Sequence, residues 1–211
     1  MISIISSFRD EEENLGLLYR ELSGVLYKVP FTYEIIFVDD YSDDGSWGIV
    51  EKIRLENPKV ALCKNAHRRG KGQALLTGIR AARGDQIVFL DSDTQNNPAD
   101  IQKFLEQLAN GYDLVNGWRE VKHAPFLVRC YSGFFNWFLR TFYRSPIHDI
   151  NSGFKGFRRQ VLERVPFDAE LFKSSPEFSQ AILLPRNFPH VLRSTGIHFN
   201  HSVFSSVELL L

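Results

Sequence analysis

The chain has few cysteines: Cys63 and Cys130 are the only two, far apart and in no Cys-x-x-Cys spacing. That argues against a disulfide framework and for reduced structural thiols in a cytosolic setting, with Cys63 buried and inert inside an apolar strand. Net charge is absent too, with 25 Lys+Arg against 25 Asp+Glu, so the overall balance gives no reason to expect a nucleic-acid partner. No stretch of 18 or more apolar residues occurs, and none is expected to span a bilayer. No signal peptide is visible, since a first strand is expected from Ile2. His67, His123, His148, His190, His198 and His201 show no spacing comparable to His-x-x-x-His, which speaks against a zinc site. Internal repeats, low-complexity tracts and linkers are also lacking.

What is present is an alternating α/β pattern. With 211 residues, 44% of them hydrophobic, the chain fits one α/β domain with a full core, or a domain plus a short appendage. Strands are predicted over Ile2–Ser7, Tyr33–Val38, Val60–Lys64, Gln86–Leu90 and Tyr112–Asn116. Helices are predicted over Glu11–Tyr27, Ser46–Glu56, Gly72–Ala82 and Pro98–Leu108, the first from Leu15, Leu18, Leu22, Val25 and Leu26 at helical spacing. Such alternation implies right-handed crossovers and a mostly parallel sheet with helices on both faces. The second half is less regular. Val128–Arg144 reads as an aromatic-rich helix, Asp149–Arg158 as a Gly-punctuated segment, and Arg159–Val165 and Pro176–Leu184 as short helices. The tail from Arg193 is rich in His and Ser and ends in three leucines.

The most informative stretch is Gln86-Ile-Val-Phe-Leu-Asp91-Ser-Asp93-Thr-Gln95. A short apolar run suits a central strand, and open α/β sheets bind ligands at the carboxyl ends of such strands. Asp91 and Asp93 share one side of the extended chain, so both can reach one hard divalent cation, and Gln95 continues the spacing. Glu11 follows the first strand and Asp39-Asp40 the second, placing further carboxylates at the same end. Helix capping and turn chemistry are the alternative for each alone, above all in Asp-Tyr-Ser-Asp-Asp-Gly. Arg68-Arg69-Gly70-Lys71-Gly72 is a basic, Gly-rich loop suited to phosphate or simply to solvent.

Four ordered motifs carry a resemblance: Val38-Asp-Asp-Tyr-Ser-Asp-Asp-Gly-Ser46, Arg69-Gly-Lys-Gly-Gln-Ala74, Asp91-Ser-Asp93 and Asp149-Ile-Asn-Ser-Gly-Phe154. Together they resemble the inverting family 2 glycosyltransferases of GT-A fold, and within them the polyprenyl-phosphate sugar transferases, over about residues 2–165. The resemblance implies one domain over 1–211, with 1–118 binding the nucleotide sugar and 119–211 facing acceptor and membrane. It implies nucleotide contacts from Ser7, Arg9, Glu11, Asp39, Asp40, Lys71 and Asp91. Ser7 and Arg9 stand where the family carries Pro and Tyr. Asp91, Asp93 and Gln95 match ligands for Mg²⁺ or Mn²⁺ and the donor diphosphate. Arg119 matches a phosphate-facing Arg that joins Asp93 and Asp149 at the reacting centre, and Arg129 is a second candidate for the acceptor phosphate. In the tail, His201 and Phe204 replace the Arg and Gly of a motif that closes over the diphosphate, which removes a bidentate phosphate clamp.

The implied reaction passes a hexose from a GDP-mannose or UDP-glucose type donor to polyprenyl or dolichyl phosphate. Such an acceptor is already anionic and needs positioning rather than a base, which leaves Asp149 as base or electrostatic residue. Phe134, Phe138 and Phe142 recur at i, i+4 and i+8 with Arg129, Arg140 and Arg144 alongside. That pattern reads as a core helix or as one lying at a membrane surface. The second reading places the protein peripherally at the cytoplasmic face, with room for a membrane-spanning partner. Two rivals stay open: transfer to a saccharide or glycolipid hydroxyl, and a non-catalytic subunit that only binds nucleotide sugars.

Overall fold

The computed structural model describes residues 1–119, 153–164 and 194–199. Among these, seven strands form one sheet: β1 (Ile2–Phe8), β2 (Tyr33–Asp39), β3 (Val60–Lys64), β4 (Gln86–Phe89), β5 (Leu114–Arg119), β6 (Lys155–Arg158) and β7 (Ser194–Phe199). Their spatial order is β3-β2-β1-β4-β6-β5-β7. β1 pairs in parallel with both β2 and β4, β2 with β3, and β5 with β7. Only β6 runs against its neighbours, β4 and β5. The mostly parallel α/β sheet is the one the alternating pattern implies.

Among the described residues five helices cover the sheet: α1 (Glu12–Leu26), α2 (Ser46–Glu56), α3 (Lys71–Ala81), α4 (Ile101–Ala109) and α5 (Gln160–Arg164). On one face, Leu15, Leu18, Leu22 and Leu26 of α1 are fully buried with Val50 of α2 and Phe104 and Leu108 of α4, against Ile4, Ile35, Phe37 and Val88. On the other face, Ala74, Leu75, Leu76 and Ile79 of α3 and Val161 of α5 pack against Ile5, Ile36, Val38, Ile87 and Phe89. Neighbouring strand residues such as Ile35 and Ile36 belong to opposite clusters, which is the period-two rule of a strand covered on both sides. Each fully buried Leu of α1 contributes about 1.5–3 kcal/mol.

Several boundaries differ from the sequence expectation. The fifth strand begins at Leu114, not Tyr112. The stretch opening at Pro98 starts as a 3-10 turn, Pro98–Asp100, because Asn97 Oδ1 accepts the Ala99 N–H at 2.9 Å before α4 begins. Two strands were not expected at all, β6 in the Gly-punctuated segment and β7 in the polar tail. Gly156 makes β6 possible: a Cβ there would stand 2.9 Å from Phe104 Cδ1, so glycine lets α4 close onto the strand. Phe104 in turn stacks on Phe154 with ring centroids 4.2 Å apart. The next two arginines fasten helix ends. Arg158 Nη2 donates to the Leu108 carbonyl at 2.6 Å, and Arg159 donates to Gly84 O and Ala82 O at 2.8 and 2.7 Å. They bind carbonyls in the last turn of α4 and just after α3, where basic side chains commonly finish a helix.

The chain leaves β1 toward β2 on one side, and β4 joins β1 on the other. The strand order thus reverses between β1 and β4, and the crevice above their carboxyl ends is the expected ligand position. Among the described residues no helix is long and apolar enough to cross a membrane.

Candidate functional site

A cleft of about 280 Å³ opens at that reversal. Ser7, Phe8, Arg9 and Glu11 enter it from the end of β1, and Asp91, Ser92 and Asp93 from the end of β4. Asp40 follows β2, and Arg68, Gly70 and Lys71 come from the loop that starts α3. Residues separated by more than eighty positions meet because β1 and β4 pair in register from Ile2↔Gln86 to Ile5↔Phe89.

The β1 and β2 loops are knitted together. The Glu11 N–H donates to Ser46 Oγ at 2.8 Å, and the Asp10 N–H to Ser42 Oγ at 3.1 Å. In return Asp10 Oδ1 accepts the Asp43 N–H and Glu12 Oε2 accepts the Gly45 N–H, each at 2.8 Å. Asp44 lies below its ordinary carboxyl value: burial opposes this, but the Ser46 hydroxyl, the Ser46 N–H and the Glu12 N–H outweigh it. Asp10 and Tyr41 sit at φ 54° and 70°, left-handed conformations that cost energy in residues other than glycine. Arg9 lies between Asp10, 3.3 Å from Nε, and Asp43, 3.7 Å from Nη2.

The acidic pair after β2 divides in role. Asp39 is fully buried; its Oδ1 accepts the Ser42 N–H and hydroxyl, each at 2.7 Å, and Lys64 Nζ lies 3.2 Å from Oδ2. That ammonium also stands 5.0 Å over the Trp47 ring and 5.9 Å from the Tyr41 ring centre. Asp40 instead turns toward α3. It accepts the Arg69 N–H at 2.9 Å, the Gly70 N–H at 2.7 Å and Asn65 Nδ2 at 2.8 Å. Gly70, at φ 85°, makes the turn into α3, so Asp40 fixes where the helix and its first residue, Lys71, begin.

Lys71 Nζ lies 2.5 Å from Asp91 Oδ1. Gly153 lies against the same carboxylate, so near that an added Cβ would overlap Asp91 Oδ2, Cγ and Oδ1. Asp93 Oδ1 accepts the Gln95 N–H at 3.1 Å, closing a turn around Thr94, whose φ of 57° is left-handed despite its β-branch. Two carboxylates aimed into one cleft supply hard oxygen donors, and the ammonium on Asp91 shows that the position takes a cation. Among the described residues no third His, Cys, Asp or Glu joins them in a metal-holding group. That donor set fits Mg²⁺ or Mn²⁺, which commonly take one or two carboxylates and fill their remaining positions from phosphate oxygens and water.

Of the expected site residues, Ser7, Arg9, Glu11, Asp40, Lys71, Asp91 and Asp93 line the cleft. Asp39 lies beneath it, and Gln95 is exposed and outside its lining. The backbone of Arg119 ends β5, paired with Phe199. Arg129, Asp149, the aromatic segment 128–144, the helix expected over Pro176–Leu184 and the His201 motif lie outside the described residues. Phe8, Ser92 and Gly153 were not singled out by sequence reasoning; Gly153 had a signal in the Ser-Gly-Phe run that follows Asp149. Cys63 is a free thiol, only partly buried, and burial pushes its pKa up.

The family model described as "Glycosyl transferase family 2" matches residues 3–165. An undecaprenyl-phosphate 4-deoxy-4-formamido-L-arabinose transferase of Pseudomonas fluorescens is 29% identical over 77% of this chain and 48% of its own length. A dolichol-phosphate mannosyltransferase of Pyrococcus furiosus is 29% identical over 89% of this chain and 56% of its own. The chain thus spans about half the length of these curated relatives. A mannosyltransferase structure from Pyrobaculum calidifontis, in complex with GDP-Man and Mn²⁺, superposes with a TM-score of 0.60 at 21% identity, covering 85% of this chain and 51% of that one.

Proposed function

The chain belongs to glycosyl transferase family 2, and on that premise we propose that it moves a hexose from a nucleotide sugar to a polyprenyl phosphate with inversion. The observation that carries this reading is the convergence of Asp91, Asp93, Arg68 and Lys71 on one cleft at the sheet's reversal point. Carboxylates and cations side by side suit a ligand that arrives as a diphosphate with a divalent ion. When bound, Mg²⁺ or Mn²⁺ supplies Lewis acidity to the departing diphosphate.

The protein's own groups do the rest. Asp91 and Asp93 are the residues that would hold the ion. Lys71 and Arg68 offer N–H donors to phosphate oxygens, and the first turn of α3 adds the positive end of a helix dipole. The loops knitted through Ser42, Ser46 and Asp44 form a fixed wall for the nucleoside at the ends of β1 and β2. A polyprenyl phosphate acceptor is supported by the relatives named for undecaprenyl and dolichol phosphates, and it works best as an anion positioned by cations, with Arg119 and Arg129 in that role and Asp149 near the reacting carbon. Such an acceptor places the protein peripherally at the cytoplasmic face of a membrane.

The test is a donor panel. The protein is incubated with polyprenyl phosphate, Mg²⁺ or Mn²⁺, and GDP-mannose or UDP-hexoses, and lipid-linked sugar is measured. Transfer from one donor that falls at least about a hundredfold in Asp91→Asn/Asp93→Asn supports the reading. Transfer untouched by that double change, or product only on saccharide hydroxyls, overturns it.

A further inference from the structure

We propose that Lys71 is a resident counter-cation that holds Asp91 until the donor arrives, so that divalent ion and nucleoside diphosphate enter as a pair. The proposal rests on the donor-site reading above and adds an order of events to it. Its first support is geometric: Lys71 Nζ is 2.5 Å from Asp91 Oδ1, while Gly153 packs against the whole carboxylate, both oxygens included. With Gly153 against the carboxylate, the ammonium stands on an oxygen that an arriving divalent ion would have to take over.

The second support is that Lys71 is misplaced by ordinary helix rules. It is the first residue of an eleven-residue helix, where the macrodipole disfavours positive charge. The backbone around it is fixed, since Asp40 grips the N–H groups of Arg69 and Gly70. The Lys71 side chain is 43% exposed and has four rotatable bonds, so its head can move while its root stays. A cation held against the dipole by one carboxylate gains a better partner when a diphosphate reaches the same helix end. Lys71 then passes from Asp91 to phosphate oxygens and frees the carboxylate in the same movement. A divalent ion arriving alone offers Lys71 no such exchange and meets its repulsion.

The test uses the whole chain and reads binding rather than turnover. Mn²⁺ affinity is measured by electron paramagnetic resonance or calorimetry, with Mn²⁺ alone and with Mn²⁺ plus GDP or UDP. Lys71→Met is expected to bind Mn²⁺ alone about five- to tenfold more tightly than the parent, and Mn²⁺–nucleoside diphosphate about tenfold more weakly. Lys71→Arg, which keeps a cation at the position, should behave as the parent does toward Mn²⁺ alone, and thermal unfolding confirms that both variants fold. If Lys71→Met gains nothing toward Mn²⁺ alone while the parent takes Mn²⁺ with the nucleotide, the counter-cation role is wrong and the donor site stands. If the parent takes neither in a manner sensitive to Asp91→Asn, the donor-site reading falls and this proposal with it.

Discussion

Gly153 sits against Asp91 so closely that a methyl group on it would overlap the carboxylate, 1.8 Å from Oδ2 and 2.2 Å from Cγ. Gly153 is in this way pressed against a carboxylate that lines the cleft. Gly153→Ala should push Asp91 out of position. A displacement of this size is expected to lower transfer about a hundredfold and to weaken Mn²⁺–nucleotide binding. Overpacking should also cost about 1–3 kcal/mol, read by chemical denaturation. Unchanged binding in a folded Gly153→Ala protein would show that Asp91 does not need its present position.

Asp40 is expected to act through the loop it holds. Asp40→Ala leaves the Arg69 and Gly70 N–H groups and Asn65 Nδ2 without their acceptor. Stability should drop by about 2–3 kcal/mol, and amide exchange should speed up at residues 69–71 before it does in the strands. Equal protection of that loop in the variant would contradict the role.

Glu34 makes the acid limb of stability testable. Burial works to raise its pKa, but the Arg83 N–H, the Ser3 hydroxyl and the Arg83 guanidinium hold it below the ordinary 4.5. A depressed carboxyl contributes stability that is complete above 4.5 and disappears as pH falls through the lower folded value. Because the Arg83 side chain is 73% exposed, most of the hold comes from the N–H and hydroxyl, at 2.6 and 2.7 Å. Glu34→Gln should lose about 1–3 kcal/mol at neutral pH and flatten the acid limb of a denaturation series. A parent and variant with parallel pH profiles would rule this out.

Thr94 stores strain beside Asp93. A β-branched residue at φ 57° is costly, and asparagine tolerates that conformation better. Thr94→Asn should raise stability by about 1 kcal/mol, seen as a higher midpoint in thermal unfolding, with Asp93 still closing its turn on the Gln95 N–H. A lower midpoint would mean that Thr94 makes contacts worth more than the strain.

The first four strands and three helices were legible because each announces itself locally. β2 is a run of buried apolar residues, and α1 repeats leucine at helical spacing. The acidic strand ends were legible for the same reason, and the fold brings Glu11, Asp40, Asp91 and Asp93 to one cleft while Asp39 is buried outside its lining. β6 was not, since Lys155-Gly-Phe-Arg offers no alternation and is a strand only because Gly156 admits Phe104. β7 carries polar residues that read as tail. The separate duties of Asp39 and Asp40 were equally hidden, because adjacent carboxylates look alike until one faces Ser42 and Lys64 and the other the start of α3. The Lys71–Asp91 contact depends on which strands are neighbours, and no spacing rule contains that.

The reversed direction of β6 decides where the remaining chain is tethered. β5 finishes, β6 starts and β7 finishes at the same end of the sheet, above the carboxylates. Arg119, Lys155 and Phe199, the strand residues nearest the limits of the described chain, therefore share the end of the sheet at which the cleft opens. One short inverted strand thus turns three chain ends of the described scaffold toward the side of the sheet where Asp91 and Asp93 stand.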